Sequence, residues 1–213
     1  MSDAQRFSIP DASIEAPHSA RFEVQKSHFI GLVARCETVD EAHSMLYSVR
    51  AAYPDARHHC SAFIAGPPGE QTALGFSDDG EPGGTAGRPI YQVLEGSGLG
   101  QIGCVVVRYF GGIKLGTGGL VRAYTKAALL ALEELPLQGF VNRRQIRLRV
   151  DFSDEFEARY WSEQAGALVS QVDYSARGPI LQLAWPEDTP LDIDALSLKL
   201  KSPPQLLDES LVS

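Results

Sequence analysis

The sequence predicts an α+β protein with two domains. Segments with the apolar pattern of strands alternate with segments of helical period, both before and after Pro136–Arg143. Pro136–Arg143 itself has the composition of a linker, and a new series of elements starts behind it. Two glycine-rich segments, Ser77–Ile90 and Arg108–Tyr124, interrupt the first series. We therefore expect three parts: a flexible N-terminal arm at 1–20, a larger domain at 21–138 and a small domain at 143–213.

The first half of the larger domain reads as strands around one helix. Thr38 and Glu41 have the spacing of a capping box, and apolar residues follow at helical period until Pro54. The predicted strands have apolar, β-branched runs and end at turn formers such as Pro67–Gly69. They are His28–Arg35, Cys60–Ala65 and Thr72–Phe76.

The second half of this domain is predicted to be a buried strand followed by a long helix. Ile102–Tyr109 is the strongest strand in the chain, and its continuous apolar run is typical of a central strand buried on both faces. A helix from about Gly118 to Leu135 follows, with Thr117 as the expected cap and Pro136 as the stop. Its apolar face is Leu120, Tyr124, Ala128, Ala131 and Leu135.

The small domain shows the order β-α-β-β-α. The strand Gln145–Phe152 precedes a helix from Asp154 to about Gln164, and the strands Leu168–Tyr174 and Ile180–Trp185 follow. A last short helix is expected after Thr189. This order predicts a small ferredoxin-like sandwich, whose final strand is poorly marked in the sequence.

Composition narrows the classes of function. The chain has 213 residues and a net charge of −8, which argues against bulk affinity for nucleic acid, so that any contact with a polyanion must be local. Three widely spaced cysteines, Cys36, Cys60 and Cys104, do not form a disulfide framework and read as buried apolar side chains. Met1–Ala20 lacks the apolar core of a signal peptide, and no apolar run is long enough for a bilayer. We expect a cytoplasmic protein with no membrane partner.

Arg108–Tyr124 has the sequence of an anion-binding junction. A buried strand leads into a glycine-rich loop and then into a helix, whose N-terminal amides attract negative charge. It is not a Walker A loop, because Thr117-Gly118 stands where Lys-Ser/Thr is required.

The charges of this region point in the same direction. No acidic residue lies between Glu95 and Glu133, whereas four cations do. Arg122 and Lys126 repel each other at i and i+4 and stand in the half of the helix where the dipole disfavours cations, and a bound anion would reverse both effects. The structural alternative is a solvated helix face. The predicted anion or nucleic-acid site comprises Arg88, Arg108, Gly111, Gly112, Lys114, Gly116, Gly118, Gly119, Arg122 and Lys126.

Ser77–Ile90 supplies a second candidate patch, Asp78, Asp79 and Glu81. Three carboxylates within one turn suit a hard cation or an acid/base pair, although the spacing fails the EF-hand pattern. The alternative is an ordered turn in which Arg88 pairs with one of the carboxylates. His58-His59-Cys60 invites a zinc interpretation, but no second ligand pair accompanies it, which favours a buried, hydrogen-bonded histidine. The residues predict no catalytic group, resident metal or cofactor.

The same segments resemble a known family. SDDGEPGGTAGRPI at Ser77–Ile90 and VVVRYFGGIKLGTGGLVRAY at Val105–Tyr124 resemble the IMPACT family, bacterial YigZ type. The stretches Lys26–Gly31 and Pro54–Cys60 fit the same pattern in the same order. The resemblance covers about Arg21–Leu135.

The resemblance implies a fold and a class of function. It implies a first domain of the left-handed βαβ type found in a small-subunit ribosomal protein and in domain IV of elongation factor G. The second domain would resemble domain V of that factor. Members of the family are treated as regulators of translation rather than enzymes, with RNA, the ribosome or a translation factor as the expected partner.

Two further functions stay open at the level of the sequence. One is a phosphate- or nucleotide-binding enzyme, in which Gly116–Gly119 cradles phosphate while Asp78, Asp79 or Glu81 holds Mg²⁺. The other is an adaptor that contacts only protein, through an apolar sheet face of the small domain.

Overall fold

The structure is a computed structural model that describes residues 6–211, with side chains up to Leu207. The chain forms two compact units, Met1–Phe140 and Val141–Ser213. Both contain helices and sheet, which confirms the α+β class. Within the described residues, no helix combines the length and the apolarity needed to cross a bilayer.

The first unit is built on a five-stranded antiparallel sheet. Its strand order is β2-β3-β6-β4-β5, so that β6 lies in the middle, as its continuous apolar run predicts. Cys104 and Val106 face one layer of helices, whereas Val105 and Val107 face the other. The strands of this unit are β1 Arg6–Pro10, β2 His18–Val24, β3 Ser27–Arg35, β4 His58–Ile64, β5 Leu74–Ser77, β6 Ile102–Tyr109 and β7 Leu137–Val141.

Helices cover both faces of this sheet. Helix α1, Val39–Ala52, packs on one face and is capped by Thr38, whose side chain accepts from the amide of Glu41 as the capping box predicts. Helices α2, Gly87–Ser97, and α3, Gly116–Glu133, pack on the other face. The whole predicted apolar face of α3 is buried, together with Ala123 and Ala127. The predicted cap of α3 is wrong, because Leu115 precedes the helix and no side chain caps it.

Four regular elements, β1, β2, α2 and β7, lie where the sequence predicted none, and β2 begins at His18, inside the predicted arm. Helix α2 occupies a segment that begins among turn formers, and its capping group is the side chain of Asp78, which lies outside the helix. Strand β7 falls in the predicted linker and pairs with β1, which falls in the predicted flexible arm. Ile9 of β1 is 2% exposed, so residues 6–10 are part of the folded unit. The arm's residues 1–5 lie outside the described residues.

The second unit is a four-stranded antiparallel sheet with two helices. In chain order it comprises β8 Arg143–Arg149, α4 Glu155–Gln164, β9 Leu168–Ser175, β10 Gly178–Pro186, α5 Ile193–Ser197 and β11 Gln205–Leu211. The strand order β11-β8-β10-β9 places the first and third strands at the centre, which is the ferredoxin-like, or split βαβ, arrangement. Strand β11 is the final strand that the sequence marks poorly. Ile146, Leu148 and Trp185 form the centre of a separate core.

Candidate functional site

A cleft opens in the first unit where the end of β6 and the loop before α2 meet the start of α3. We call it the α3 cleft, and its volume is about 390 Å³. Its polar lining is Arg57, His58, Glu81, Arg108, Lys114 and Thr117. Its apolar lining is Pro82, Phe110, Leu115 and Leu120. The cleft thus combines residues of both glycine-rich segments, and its cations outnumber its single carboxylate.

The positive end of helix α3 lies at this cleft. The first amides of any helix have no partner inside the helix, and here neither a capping side chain nor an acidic residue in the first turn compensates them. Gly116, the first helical residue, has φ +68°, a conformation that disfavours a side chain. Lys114 adds an exposed positive charge just before the helix. These features together favour an anion at this position.

The wall of the cleft contains a buried ion pair. Arg108 Nη1 lies 2.5 Å from Glu81 Oε1, and the two side chains are only 7% and 4% exposed. Tyr124 donates its hydroxyl to the same oxygen over 2.8 Å. Burial raises the pKa of Tyr124 well above its usual range, so the phenol stays protonated and can keep donating. Arg108 is therefore held in place by the protein, and the exposed charges of the cleft are those of Arg57 and Lys114.

Arg108 also has one donor, the Nε, that forms no hydrogen bond within the described residues. Its Cζ lies 5.5 Å from the ring centre of Phe29 and 5.6 Å from that of Phe110. Its Nε is buried and has no hydrogen-bond partner within the part of the chain that the structure describes. The guanidinium consequently lies near two aromatic rings at the edge of the cleft, and its Nε donor forms no hydrogen bond to any described residue.

His58 belongs to the cleft, which the sequence did not indicate. Its Nδ1 lies 2.8 Å from the carbonyl oxygen of Asp79, and a carbonyl can only accept, so the neutral ring carries its proton on Nδ1. The other nitrogen, Nε2, is left as an acceptor and lies 3.9 Å from Glu81 Oε1, too far for a hydrogen bond. His59 is the buried histidine that the sequence predicted, with Nε2 3.0 Å from the carbonyl oxygen of Tyr53.

The carboxylates of Ser77–Ile90 serve the fold. Asp78 accepts hydrogen bonds from the amides of Gly84, Ala86 and Gly87 and thereby caps α2. Burial raises the pKa of Asp78, but the three amide bonds together outweigh it and hold the pKa below its ordinary value. Asp78 is thus a charged cap that satisfies amides at the start of α2.

Asp79 and Glu81 complete the set. Asp79 lies 2.7 Å from Arg50 Nη2, at the end of α1, and accepts from the amide of His59 in β4. The predicted pairing of Arg88 with one of these carboxylates is wrong, because Arg50 and Arg108 take those places while Arg88 lies exposed in α2. No three His, Cys, Asp or Glu side chains of residues 6–207 are grouped as a metal site.

The predicted glycines divide between loop construction and the start of α3. A Cβ on Gly111 would overlap the carbonyl group of Lys26, and the Gly111 amide donates to Ser27 Oγ over 3.2 Å. Gly112 has φ +88°. These two glycines let the loop lie against the β2–β3 hairpin. Gly118 and Gly119 lie in the first turn of α3.

Arg122 and Lys126 face a different depression from the α3 cleft. They lie one turn apart on α3 and line a shallow site beside β2, together with Gly119. Lys126 Nζ is 5.0 Å from the ring centre of Phe22. Both residues are exposed, so the predicted cationic surface extends along α3 on two sides. The expectation that both stand in the N-terminal half of the helix is wrong for Lys126, which is the eleventh of its 18 residues because α3 spans Gly116–Glu133.

The cysteines are free and buried, as predicted. Cys60, the nearest to the cleft, donates to the carbonyl oxygen of Asp78 over 3.0 Å. Burial raises the pKa of its thiol to about 12, which leaves almost no thiolate at neutral pH. Cys60 is therefore unsuited to act as a nucleophile.

Comparisons with known proteins identify the family. The model of the Impact N-terminal domain matches residues 25–132. The chain is 54% identical over 161 residues to IMPACT family member YigZ of Escherichia coli (strain K12), which covers 76% of this chain and 79% of that protein. It is 41% identical over 125 residues to IMPACT family member YvyE of Bacillus subtilis (strain 168), covering 59% of this chain and 55% of that one. A solved structure described as a hypothetical protein matches with a TM-score of 0.68 at 39% identity, over 97% of this chain and 98% of that one. The chain therefore belongs to the IMPACT family and is similar to its YigZ type.

Proposed function

We propose that the protein is a non-enzymatic regulator of translation that contacts RNA, the ribosome or a ribosome-associated factor through the start of α3 and the exposed cations near it. The observation that carries the proposal is the uncapped start of α3 with exposed cations on both sides of it. Lys114 and Arg57 lie at the cleft, and Arg122 and Lys126 lie beside β2. We call these four residues with the first turn of α3 the α3 surface.

Electrostatics supports a polyanion as the partner of the α3 surface. Lys114 stands just before the uncapped helix start, where a cation is unfavourable, and Arg122 and Lys126 repel each other at i and i+4 by a few tenths of a kcal/mol. A phosphate backbone offsets both effects and releases counterions when it binds. With few charges involved, the affinity is modest and falls as salt is added.

The role in translation draws its support from the family, and the fold agrees with the same proposal. We propose that the first unit is of the left-handed βαβ type of elongation factor G domain IV and that the second is of the domain V type. In the first unit, β3 and β4 both run antiparallel to β6 between them, so that β3-α1-β4 is a crossover between parallel strands. In the second unit, the ferredoxin-like strand order agrees with the domain V type.

The non-enzymatic part of the proposal rests on the chemistry of the residues near the cleft. Asp78 and Asp79 accept hydrogen bonds from the protein itself, Glu81 is paired with Arg108, and Cys60 is held as a thiol. These groups act in the fold and are not arranged as a nucleophile with its base.

Sedimentation with ribosomes from a low-salt extract tests the proposal. We expect the wild-type protein to co-sediment and Arg122→Glu/Lys126→Glu to remain in the supernatant, because the variant reverses two charges of the α3 surface. Arg177→Glu/Lys199→Glu is the matched control, since it makes the same change in charge at exposed positions of the second unit. Equal sedimentation of all three proteins would sink the proposal.

The volume of the α3 cleft favours one alternative, a phosphate- or nucleotide-binding enzyme that uses Gly116–Gly119. About 390 Å³ is within the range of small-molecule sites. Its Mg²⁺ would have to be coordinated by Asp78, Asp79 or Glu81, but these carboxylates already accept hydrogen bonds from groups of the protein. Thermal shift with nucleotides, with and without Mg²⁺, decides this alternative: stabilisation that requires Mg²⁺ supports it, and none at millimolar nucleotide counts against it.

A further inference from the structure

We propose that the α3 cleft binds one nucleotide of a single-stranded RNA and recognises its ribose. The inference rests on the proposed function for the presence of RNA. It adds a defined position for one nucleotide and a residue that distinguishes RNA from DNA. Three parts of the cleft carry it: a cationic end, an apolar wall and an unused acceptor.

The cationic end suits a phosphate. The amides at the start of α3 have no cap, and Lys114 stands exposed beside them. The helix start is not the sole support, because Arg108 is 5% exposed, lines the same cleft and keeps a buried Nε without a partner within the described chain. A phosphate oxygen is the type of acceptor that the helix amides lack, and the positive charge of Arg108 attracts it.

The apolar wall suits a base. Phe110 is 44% exposed although it lines a cleft that also includes Leu115 and Leu120. Bases of single strands stack on exposed aromatic side chains in sequence-tolerant binding, whereas paired bases are not available for this contact. A cavity of about 390 Å³ also accommodates one nucleotide rather than a duplex.

The unused acceptor suits a ribose hydroxyl. The bond between Nδ1 of His58 and the carbonyl oxygen of Asp79 leaves Nε2 as an acceptor with no hydrogen bond in the described residues, since Glu81 Oε1 is 3.9 Å away, and His58 lines the cleft. The 2′-hydroxyl of RNA is a donor that DNA lacks. His58 therefore gives the cleft a means to prefer RNA, and the apolar and cationic parts bind either nucleic acid.

Fluorescence anisotropy with a short labelled uridine oligoribonucleotide and the matching deoxyribonucleotide tests the inference. We expect the wild-type protein to bind the RNA more tightly than the DNA. Phe110→Ala weakens both by about fivefold or more, as expected for a lost stacking contact, and Lys114→Glu also weakens both. His58→Ala lowers the affinity for RNA to that for DNA. A melting curve of each variant ensures that only folded protein is compared.

The outcomes separate this inference from the proposed function. If Arg122→Glu/Lys126→Glu weakens RNA binding while Phe110→Ala, Lys114→Glu and His58→Ala do not, the inference is overturned and the proposed function stands. If His58→Ala weakens RNA and DNA by the same factor, the ribose assignment is overturned. If uridine monophosphate binds and the oligoribonucleotide does not, the cleft belongs to a small soluble ligand instead. If neither binds, the inference fails, and ribosome sedimentation still decides the proposed function.

Discussion

Single side chains near the α3 cleft connect separate elements of the fold. Glu81 holds one carboxylate oxygen against Arg108 from β6 and Tyr124 from α3. Removing one partner of such a buried pair leaves an uncompensated charge, which is far more costly than removing both partners. Arg108 is thus fixed by its partner, and it acts on a ligand in the cleft through its positive charge.

The cap that Asp78 provides for α2 leads to a prediction about pH. Because the pKa of Asp78 is lowered in the folded protein, its contribution to stability is present above the unfolded value of about 3.9. That contribution is lost as the pH falls through the lowered folded value. We expect Asp78→Asn to lower the free energy of unfolding by about 1–2 kcal/mol at pH 7, as measured by urea unfolding followed by far-UV circular dichroism.

The difference between wild type and Asp78→Asn should shrink as the pH is lowered below about 4, because the wild-type carboxylate then becomes neutral as well. Asp55→Asn is the control, since Asp55 is exposed, and it should leave the free energy of unfolding unchanged at both pH values. A difference between wild type and Asp78→Asn that stays constant from pH 7 to pH 3 contradicts the charged-cap assignment.

At the scale of helices and strands, the sequence patterns predicted correctly those elements that are formed by interactions between residues close in the chain. The boundaries of β6 match the prediction because its apolar run is continuous, and α1 starts after Thr38 because its capping residues are three positions apart. Helix α2 was missed because it starts with Gly87-Arg88-Pro89 and takes its cap from Asp78, nine residues before Gly87. A pattern search within the helix has no signal for such a cap.

The pairing of β1 with β7 shows the same limit over a longer distance. Arg6–Pro10 and Leu137–Val141 each have weak strand patterns, and they form a two-stranded sheet with each other. Phe7 packs on Phe140 with ring centres 4.9 Å apart, a contact across more than half of the chain. No local reading of either segment could reveal it.

The loop before α3 depends on one close backbone contact, which we can test. The hairpin between β2 and β3 turns through Gln25 and Lys26, both with positive φ, and Gly111 lies against the Lys26 carbonyl. We expect Gly111→Ala to cost about 1–3 kcal/mol in free energy of unfolding, because the backbone of the tight turn must shift to make room for the added Cβ.

Gly118→Ala is the matched comparison. A Cβ there would have 3.5 Å to the nearest atom, Arg122 Nη1, so this change should be neutral or stabilise by up to about 1 kcal/mol. Thermal melts followed by circular dichroism measure both variants. Similar melting temperatures for the two variants would show that the loop yields more easily than the contact indicates.

For the whole molecule, the two units have separate cores and separate optical signals. Both tryptophans of the sequence, Trp161 and Trp185, lie in the second unit with ring centres 5.1 Å apart. Tryptophan fluorescence consequently reports on the second unit, whereas far-UV circular dichroism reports on both.

We expect Asp78→Asn to move the circular dichroism transition in urea and to leave the tryptophan fluorescence transition where it is in wild type. The reason is that α2 belongs to the first unit, and the second unit has its own core. Wild type measured by both probes supplies the reference. If the fluorescence transition moves by the same amount, the units unfold as one.

The candidate site was predictable in part, for the same physical reason as the fold. The run of cations without acids between Glu95 and Glu133 is a local pattern, and it identified Lys114, Arg122 and Lys126. The pairing of Glu81 with Arg108 joins residues 27 positions apart in the chain. The orientation of the His58 ring depends on its contact with the carbonyl oxygen of Asp79, 21 positions away. Those contacts exist only after the sheet has formed, so they gave no signal in the sequence.

The four residues from Asp78 to Glu81 connect to three helices: α2 through its cap, α1 through Arg50 and α3 through Tyr124. A random mutagenesis screen scored on phenotype alone would therefore find many inactive variants in this short stretch, whether or not a ligand ever touches it. Scoring protein abundance together with phenotype would separate the two cases. Variants at Asp78 and Asp79 should lose both, whereas inactive variants at Lys114 or Arg122 should retain normal abundance, because those side chains are exposed.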